Sequence, residues 1–441
     1  MIELSIDLKE KMESIAGKDA FVFYESEGEK DGTYAFYPSS SEELSRFSSL
    51  CYRHRVPMRP CSDETSARSD TVNVFFDRMD KVLSVDPVSR TITVQAGCTF
   101  ETARRAADEA GFLFPLYMNA PEGARIGGRL ATNYINAGVF RYGTPKELTL
   151  GTQLVLPDGT VKDTLENYAT SESDTMKNLF VGSHGSIGFI TAAVIRLHPK
   201  AAEVRRMLCL CDGLSGISKL FALSQHLGAT LLTGFDVFSK SGMEEILKEV
   251  PSIQKPFEAS WYVLIEFSST VANDRLGSFL EELKKEAVQK GLIRDAVTSK
   301  YAEDAENLAR MERSVQCLAR CADGAYFKEA VLPVSKTVDF LERLGVQAAY
   351  AFPKASLMPL ARMGEGALFL NVRFSELEND EAALTESEKM FKLFDTLVCQ
   401  AGGMCAVSQK AGGSADGKGE IADMIRALKA SFDPYNLMNP T

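Results

Sequence analysis

Histidine and tryptophan are scarce in this 441-residue chain: His54, His184, His198 and His226 are the only histidines and Trp261 the only tryptophan. No histidine follows residue 226, so a histidine-ligated metal cannot be built from the C-terminal half. A run of roughly eighteen apolar residues is absent, as are the basic and apolar blocks of a secretory signal in the opening Met1-Ile-Glu-Leu-Ser-Ile-Asp-Leu-Lys9. A soluble, cytoplasmic protein without a transmembrane segment is expected. Positive charge is in deficit, with a formal net charge of −11, which speaks against nucleic acid and anionic membrane as partners. No Gly-x-Gly-x-x-Gly opens an early helix, so a Rossmann nicotinamide site has no support. The nine cysteines, odd in number and irregular in spacing, fit reduced thiols better than a disulfide framework. Neither Cys209/Cys211 nor Cys317/Cys321 has the further ligands of a zinc or iron–sulfur set, and buried structural thiols are expected.

What is present suits a globular chain of two domains: 45% of residues are hydrophobic and 25% charged. Residues 41–55 carry Leu44, Phe47, Leu50 and Cys51 at helical spacing behind a Ser-Glu start. Alternation then predicts short strands at 71–76, 82–85 and 91–96, and a helix from Phe100 to about Ala110 stopped by Gly111. Beyond Pro199-Lys200 the texture changes. Trp261–Phe267 reads as a strand and 273–290 as an amphipathic helix, and the strand at 367–374 and helix at 381–401 repeat that pairing. Gly412–Gly419 reads as a flexible loop. Mixed helices and short strands predict an α+β architecture rather than a dinucleotide-type parallel sheet.

Two glycine-punctuated segments stand out, Ala124-Arg-Ile-Gly-Gly-Arg-Leu-Ala-Thr-Asn133 and Gly182-Ser-His-Gly-Ser-Ile-Gly-Phe-Ile-Thr191. Arg141-Tyr-Gly-Thr144 and a strand ending at Leu156-Pro-Asp-Gly159 lie between them. Glycine lets main chain approach a flat ring or an anionic linker, and Gly127, Gly128, Gly138, Gly143, Gly185 and Gly188 offer that repeatedly. With Leu197-His-Pro199 and Phe432-Asp-Pro-Tyr-Asn-Leu-Met-Asn-Pro440, the ordered set resembles the FAD-linked oxidases of the vanillyl-alcohol oxidase and p-cresol methylhydroxylase type. Within that superfamily it is most similar to the D-lactate, glycolate and D-2-hydroxyglutarate dehydrogenases.

The resemblance implies non-covalent FAD in a two-part FAD-binding domain over 1–200. It also implies a ferredoxin-like cap of the FAD-linked oxidase C-terminal type over 201–410, and a segment over 411–441 that returns to the first domain. It gives Ile126, Gly127, Gly128, Thr132 and Asn133 the flavin and diphosphate, through backbone N–H groups and the Thr hydroxyl. Gly138, Tyr142, Gly143, His184, Gly185, Gly188 and Ile190 fall to the flavin ring and adenine ribose, with Asn439 closing the site.

Departures from the family pattern matter as much. Relatives cradle the diphosphate in an Arg-Gly-Gly-Gly-Thr type loop, and the matching stretch Pro57-Met-Arg-Pro-Cys-Ser-Asp-Glu-Thr65 retains only Thr65. Asp63 and Glu64 fall where the dianion would sit, and at about 4 Å each unit repulsion costs about 1 to 4 kcal/mol, with Arg59 and Arg68 at hand to offset it. Cys61 is the loop's one nucleophile, so covalent tethering is not expected. The Gly-His-x-Gly-Asp-Gly-Asn-Leu-His motif of the relatives is matched by Ala361-Arg-Met-Gly-Glu-Gly-Ala-Leu-Phe369, and no metal site is expected. Arg310, Lys328, Arg362 and Asn371 are the candidate catalytic residues, the cations as holders of a carboxylate.

Flavin-dependent oxidation of a small carboxylate substrate is thus one reading. A non-catalytic or electron-transferring flavin subunit, beside an iron–sulfur or electron-transfer-flavoprotein partner, is a second. A homologue that has lost flavin is a third.

Overall fold

The computed structural model describes residues 2, 4–25, 32–62, 67–117, 123–133, 139–249, 258–272, 275–299, 301–322, 324–374, 380–405 and 420–440. By its contacts the chain forms two compact units, one of residues 1–136, 142–200 and 407–441, the other of 137–141 and 201–406.

Among the described residues the first unit holds two main sheets and a two-stranded pairing of Phe112–Leu113 with His198–Pro199. Four strands run in the order Phe21–Glu25, Gly32–Phe36, Val72–Phe75, Met58–Cys61. The last three are parallel to one another, a small parallel core inside an otherwise antiparallel unit. Helix Ser41–His54 starts where the Ser40 hydroxyl accepts the Glu43 N–H and stops at Arg55, in the left-handed region at φ 58°. Its expected stripe of Leu44, Phe47, Leu50 and Cys51 is buried, with the Phe36 and Phe47 rings stacked 3.9 Å apart. The second sheet is antiparallel and five-stranded, in the order Val82–Asp86, Thr91–Gln95, Phe189–Arg196, Thr149–Val155, Val161–Asp163. Helix Phe100–Glu109 packs Phe100, Ala103 and Ala107 into its core.

The C-terminal stretch joins the four-stranded sheet: Met438 bridges Met58 in parallel, Leu437 O accepts from Met58 N and Asn439 N donates to Met58 O, both at 2.7 Å. Asp433, at the end of helix Glu420–Phe432, fixes that stretch. Its carboxylate accepts the N–H groups of Leu437 and Met438 at 2.8 and 2.7 Å and pairs with Lys429 at 3.3 Å. Lys429 Nζ also donates to Met438 O at 2.7 Å and Ser186 O at 3.2 Å, tying the helix to the second glycine segment.

The second unit is one eight-stranded antiparallel sheet: Asp295–Thr298, Glu203–Cys211, Trp261–Ser269, Leu232–Ser239, Ala355–Arg362, Ala367–Phe374, Tyr326–Val331, Met404–Cys405. Apolar residues alternate across it. Cys209, Val237, Ile265 and Leu370 face the core that includes helices Ile217–Gly228, Arg275–Gln289, Thr337–Ala351 and Asp380–Gln400. Leu208, Phe238, Leu264 and Phe369 face the core under helices Lys240–Glu249 and Ala302–Val315. Residues 137–141 belong to this unit although the chain enters them from the first. The Phe140 ring fills the space a Cβ on Gly364 would need, 2.3 Å from its Cγ, and lies 6.0 Å from Phe221. Arg141 Nη1 donates to the carbonyl and hydroxyl of Ser268 at 2.9 and 2.7 Å.

The α+β expectation holds. All nine cysteines are free, and Cys209, Cys211 and Cys317 are buried as expected. Cys321 is exposed, with Sγ donating to Ala325 O at 3.0 Å. Among the described residues no helix is long and apolar enough to cross a membrane. The loop expected at 412–419 lies outside the described residues.

Candidate functional site

In the first unit the two glycine segments lie against each other through main chain: His184 N donates to Ala131 O at 2.8 Å and Gly182 N to Leu130 O at 2.9 Å. Residues 126–132 form a short helix ended by Asn133 in the left-handed region, whose side-chain oxygen accepts Lys146 N at 2.9 Å. The geometry revises why the glycines are there. A Cβ on Gly127 would sit 2.8 Å from Ala96 Cβ, and one on Gly185, at φ +68°, would sit 2.3 Å from Pro60 Cγ. On Gly188 a Cβ would meet Phe180 and the Val155 carbonyl at 2.9 Å, and on Gly143 the Glu147 side chain at 3.2 Å. These four serve packing of the protein against itself. Of the described glycines in the predicted set, Gly128 alone faces open space, with Ser62 Cβ at 3.5 Å the one contact a Cβ would make.

The backbone donors are likewise spent internally. Ile126 N gives its hydrogen to Cys98 O and Gly127 N to Ala96 O, at 3.0 and 2.7 Å. The Ile126 and Ile190 side chains are core residues. Thr132 turns its hydroxyl back to Gly128 O at 2.9 Å. Tyr142 packs its ring 4.9 Å from that of His198. His184 is exposed at φ +53°, and partial desolvation of its imidazole lowers its pKa below the ordinary histidine value. Thr65 and Gly138, with Asp63 and Glu64, lie outside the described residues.

Sequence reading missed the register at the unit's edge. Because Met58 and Met438 are bridge partners facing the core, Arg59 and Asn439 follow them on the opposite face, with Asn73 across from Arg59 on the next strand. Arg59 is only 5% exposed, yet its Nε and Nη1 have no hydrogen-bond partner. Asn439 donates to His184 O at 3.0 Å while its own Oδ1 is buried and unpartnered. Asn73 is saturated, accepting from Arg68 N at 3.0 Å and from Cys61 Sγ at 3.4 Å, which also turns the Cys61 thiol inward. Arg68 is held by Asp70, whose carboxyl it keeps below the usual range.

The second unit does not bring the four candidate catalytic residues together. Lys328 lies on the sheet face covered by Asp380–Gln400 and pairs with Asp395 at 2.9 Å. Arg362 and Asn371 lie on the opposite face. Asn371 is wholly buried and spent on a turn, accepting Ala322 N at 2.8 Å and donating to Leu318 O at 3.0 Å. Arg310 is on the exposed side of helix Ala302–Val315, paired with Glu306 at 3.0 Å.

Arg362 instead heads a polar cluster. It donates to Gln316 Oε1 and approaches Asp236 at 3.8 Å. Nearby, Arg206 pairs with Glu266 at 2.7 Å and reaches Glu312 at 3.8 Å, and Thr233 donates to Glu266 at 2.9 Å. Burial pushes the Glu312 carboxyl up to about 7, helped by the charge of Glu266 and opposed by Arg206. Burial pushes Asp236 up to about 6, opposed by Arg362. Asp236 and Glu266 each break a run of apolar residues, in Phe235-Asp-Val-Phe238 and Val263-Leu-Ile-Glu-Phe267, whereas Glu312 lies in a helix with no such mark. That charge inside a strand pattern is the signal by which the first two could have been found.

The sequence matches the FAD binding domain family over residues 33–165 and the C-terminal domain family of FAD linked oxidases over residues 237–441. The chain belongs to the FAD-linked oxidases. FAD is its cofactor, and its family is one of FAD-dependent oxidases.

Among the relatives of this oxidase is the mitochondrial D-2-hydroxyglutarate dehydrogenase of Arabidopsis thaliana. It is 27% identical over 359 residues, which is 79% of this chain but only 63% of that protein. The bovine enzyme of that name is 27% identical over 424 residues, covering 91% and 75%. The glycolate oxidase subunit GlcD of Bacillus subtilis (strain 168) is 26% identical over 426 residues, covering 91% and 87%. Among solved structures, p-cresol methylhydroxylase superposes with a TM-score of 0.70 at 14% identity, over 98% of this chain and 95% of that one. Alkyldihydroxyacetonephosphate synthase gives 0.69 at 16%, over 99% and 86%. These likenesses are of fold. The orphaned donors of Arg59 and the open Gly128 fit a cofactor with an anionic linker, and the orphaned acceptor Oδ1 of Asn439 suits a hydroxyl or N–H of the same cofactor.

Proposed function

We propose that this FAD-linked oxidase oxidises a small 2-hydroxy acid, with residues 1–200 holding FAD and the unit built on residues 201–406 supplying the groups that act on substrate. Bound flavin would accept the hydride. What the chain itself must provide is a base for the hydroxyl proton and positive charge for the carboxylate. Glu312, its carboxyl near 7 and so able to take up and release a proton at working pH, is the base, with the proton carried on an Oε atom. Arg206, 3.8 Å from it, and Arg362, which lies 3.8 Å from Asp236 and acts on Glu312 through its charge, are the cations to hold the acid. The observation that carries this reading is the Glu312–Arg206–Glu266 cluster, because it offers acid–base chemistry in a half of the chain that has no histidine after 226.

The names of the relatives, D-2-hydroxyglutarate dehydrogenase and glycolate oxidase subunit, support the substrate class. The word subunit in the second name supports work beside a partner protein, for which we propose an iron–sulfur or electron-transfer-flavoprotein partner, and the nine free thiols support the reducing cytoplasm as the place. The test is anaerobic: FAD-loaded protein is mixed with D-2-hydroxyglutarate, D-lactate and glycolate, and the visible flavin band is followed. Bleaching by one of them is expected. A band indifferent to all three and to a wider panel of hydroxy acids would sink the proposal.

A further inference from the structure

A buried guanidinium without partners is costly, since burial removes water from a charge that nothing inside then compensates. Arg59 approaches that position on the strand leading into the stretch that replaces the phosphate loop, its buried Nε and Nη1 having no hydrogen-bond partner. Nearby side chains relieve it only in part, the Asp70 carboxylate acting on it through charge alone. Asn73 is already saturated and Arg68 takes the Asp70 carboxylate. On the neighbouring strand position Asn439 keeps a buried carbonyl oxygen without a donor. A neutral acceptor and a cationic fork thus sit on one face of the sheet edge, and neither satisfies the other.

We propose that Arg59 is the anion anchor of this chain, its Nε and Nη1 donating to the diphosphate of FAD where the glycine-rich loop of the family has become the acidic Asp63-Glu64. The planar fork suits two oxygens of a phosphoryl group. Asn439, set by its bond to His184 O, flanks it. This deepens the FAD reading and rests on it.

The experiment is equilibrium binding to flavin-free protein of FAD, riboflavin and ADP, each alone, for wild type, Arg59→Met and Arg59→Lys, with thermal unfolding of each apo form alongside. Met is expected to weaken FAD and ADP by roughly ten- to a hundredfold, the loss of hydrogen bonds to a charged group, and to leave riboflavin unchanged. Lys is expected to recover part of that loss. The apo form of the Met variant is expected to melt at or above the wild type, because the uncompensated charge is gone. Should the Met variant not fold, the same comparison rests on Lys, with FAD and ADP weakened and riboflavin not.

Unchanged FAD and ADP affinity in the variants would overturn the assignment. So would a loss shared equally by FAD and riboflavin with ADP untouched. Wild type that binds ADP through Arg59 but no flavin would keep the anion anchor and sink the cofactor reading. Wild type that binds neither would sink both.

Discussion

Replacing Asp433 should unhook the C-terminal stretch from the first unit without disturbing the second. The side chain is fully buried and makes two short bonds to main-chain N–H groups and one ion pair. Each charge-assisted bond is worth about 1.5 to 3 kcal/mol. In Asp433→Ala the N–H groups of Leu437 and Met438 lose their acceptors, and Lys429 keeps only the carbonyls of Ser186 and Met438. A cost of about 3 to 5 kcal/mol follows. Asp433→Asn keeps the shape but offers one acceptor and turns an NH2 toward the second N–H, for a cost of about 2 kcal/mol. The assay uses the placement of the sole tryptophan. Trp261 lies in the eight-stranded sheet, so its fluorescence follows the second unit, while far-ultraviolet circular dichroism follows both. In urea, the dichroism transition should move to lower denaturant in the order wild type, Asn, Ala, and the Trp261 transition should stay. FAD affinity should fall in the same order, because the stretch carries Asn439 to His184. If Asp433→Asn lies within about 0.5 kcal/mol of wild type, the reasoning is refuted. The same holds if the Trp261 transition moves as far as the other.

Two further outcomes are expected. Glu312→Gln should abolish the rising limb that kcat/KM shows near pH 7 in wild type, leaving residual turnover flat with pH. Because the folded carboxyl binds its proton more tightly than the unfolded one, Glu312 contributes stability below about pH 4.5 that is lost as pH rises through about 7, and the Gln variant should lack that decline on titration of unfolding free energy. Gly185→Ala should cost about 3 kcal/mol or more, since the residue has φ +68° and a Cβ would overlap the Pro60 ring. A melting temperature equal to wild type would contradict that packing.

Much of the fold was legible because its signals are local. The stripe of Leu44, Phe47, Leu50 and Cys51, the strand Trp261–Ser269 and the helix Arg275–Gln289 each announce themselves within one window of sequence. The parallel set Gly32–Phe36, Val72–Phe75 and Met58–Cys61 did not, because pairing direction leaves no periodic trace. The site was less legible still. Arg206, Asp236, Glu266, Glu312 and Arg362 come from five separate elements, and only tertiary pairing assembles them. Arg59 and Asn439 come to neighbouring strand positions through one bridge, Met58 to Met438, between distant parts of the chain. The glycines were visible but their reason was not. A sequence shows that a Cβ is missing, and only coordinates show that Pro60 and Ala96 occupy its place.

The loan of Phe140 and Arg141 to the second unit has a consequence for how such proteins can be recombined. A gene segment encoding 201–406 alone would lack the ring that lies against Gly364 and Phe221 and the guanidinium that caps Ser268, and so would expose apolar surface to solvent. Shuffling between relatives therefore has to transplant two stretches of coding sequence together. A chimera joined once, at Lys200, inherits a mismatched plug.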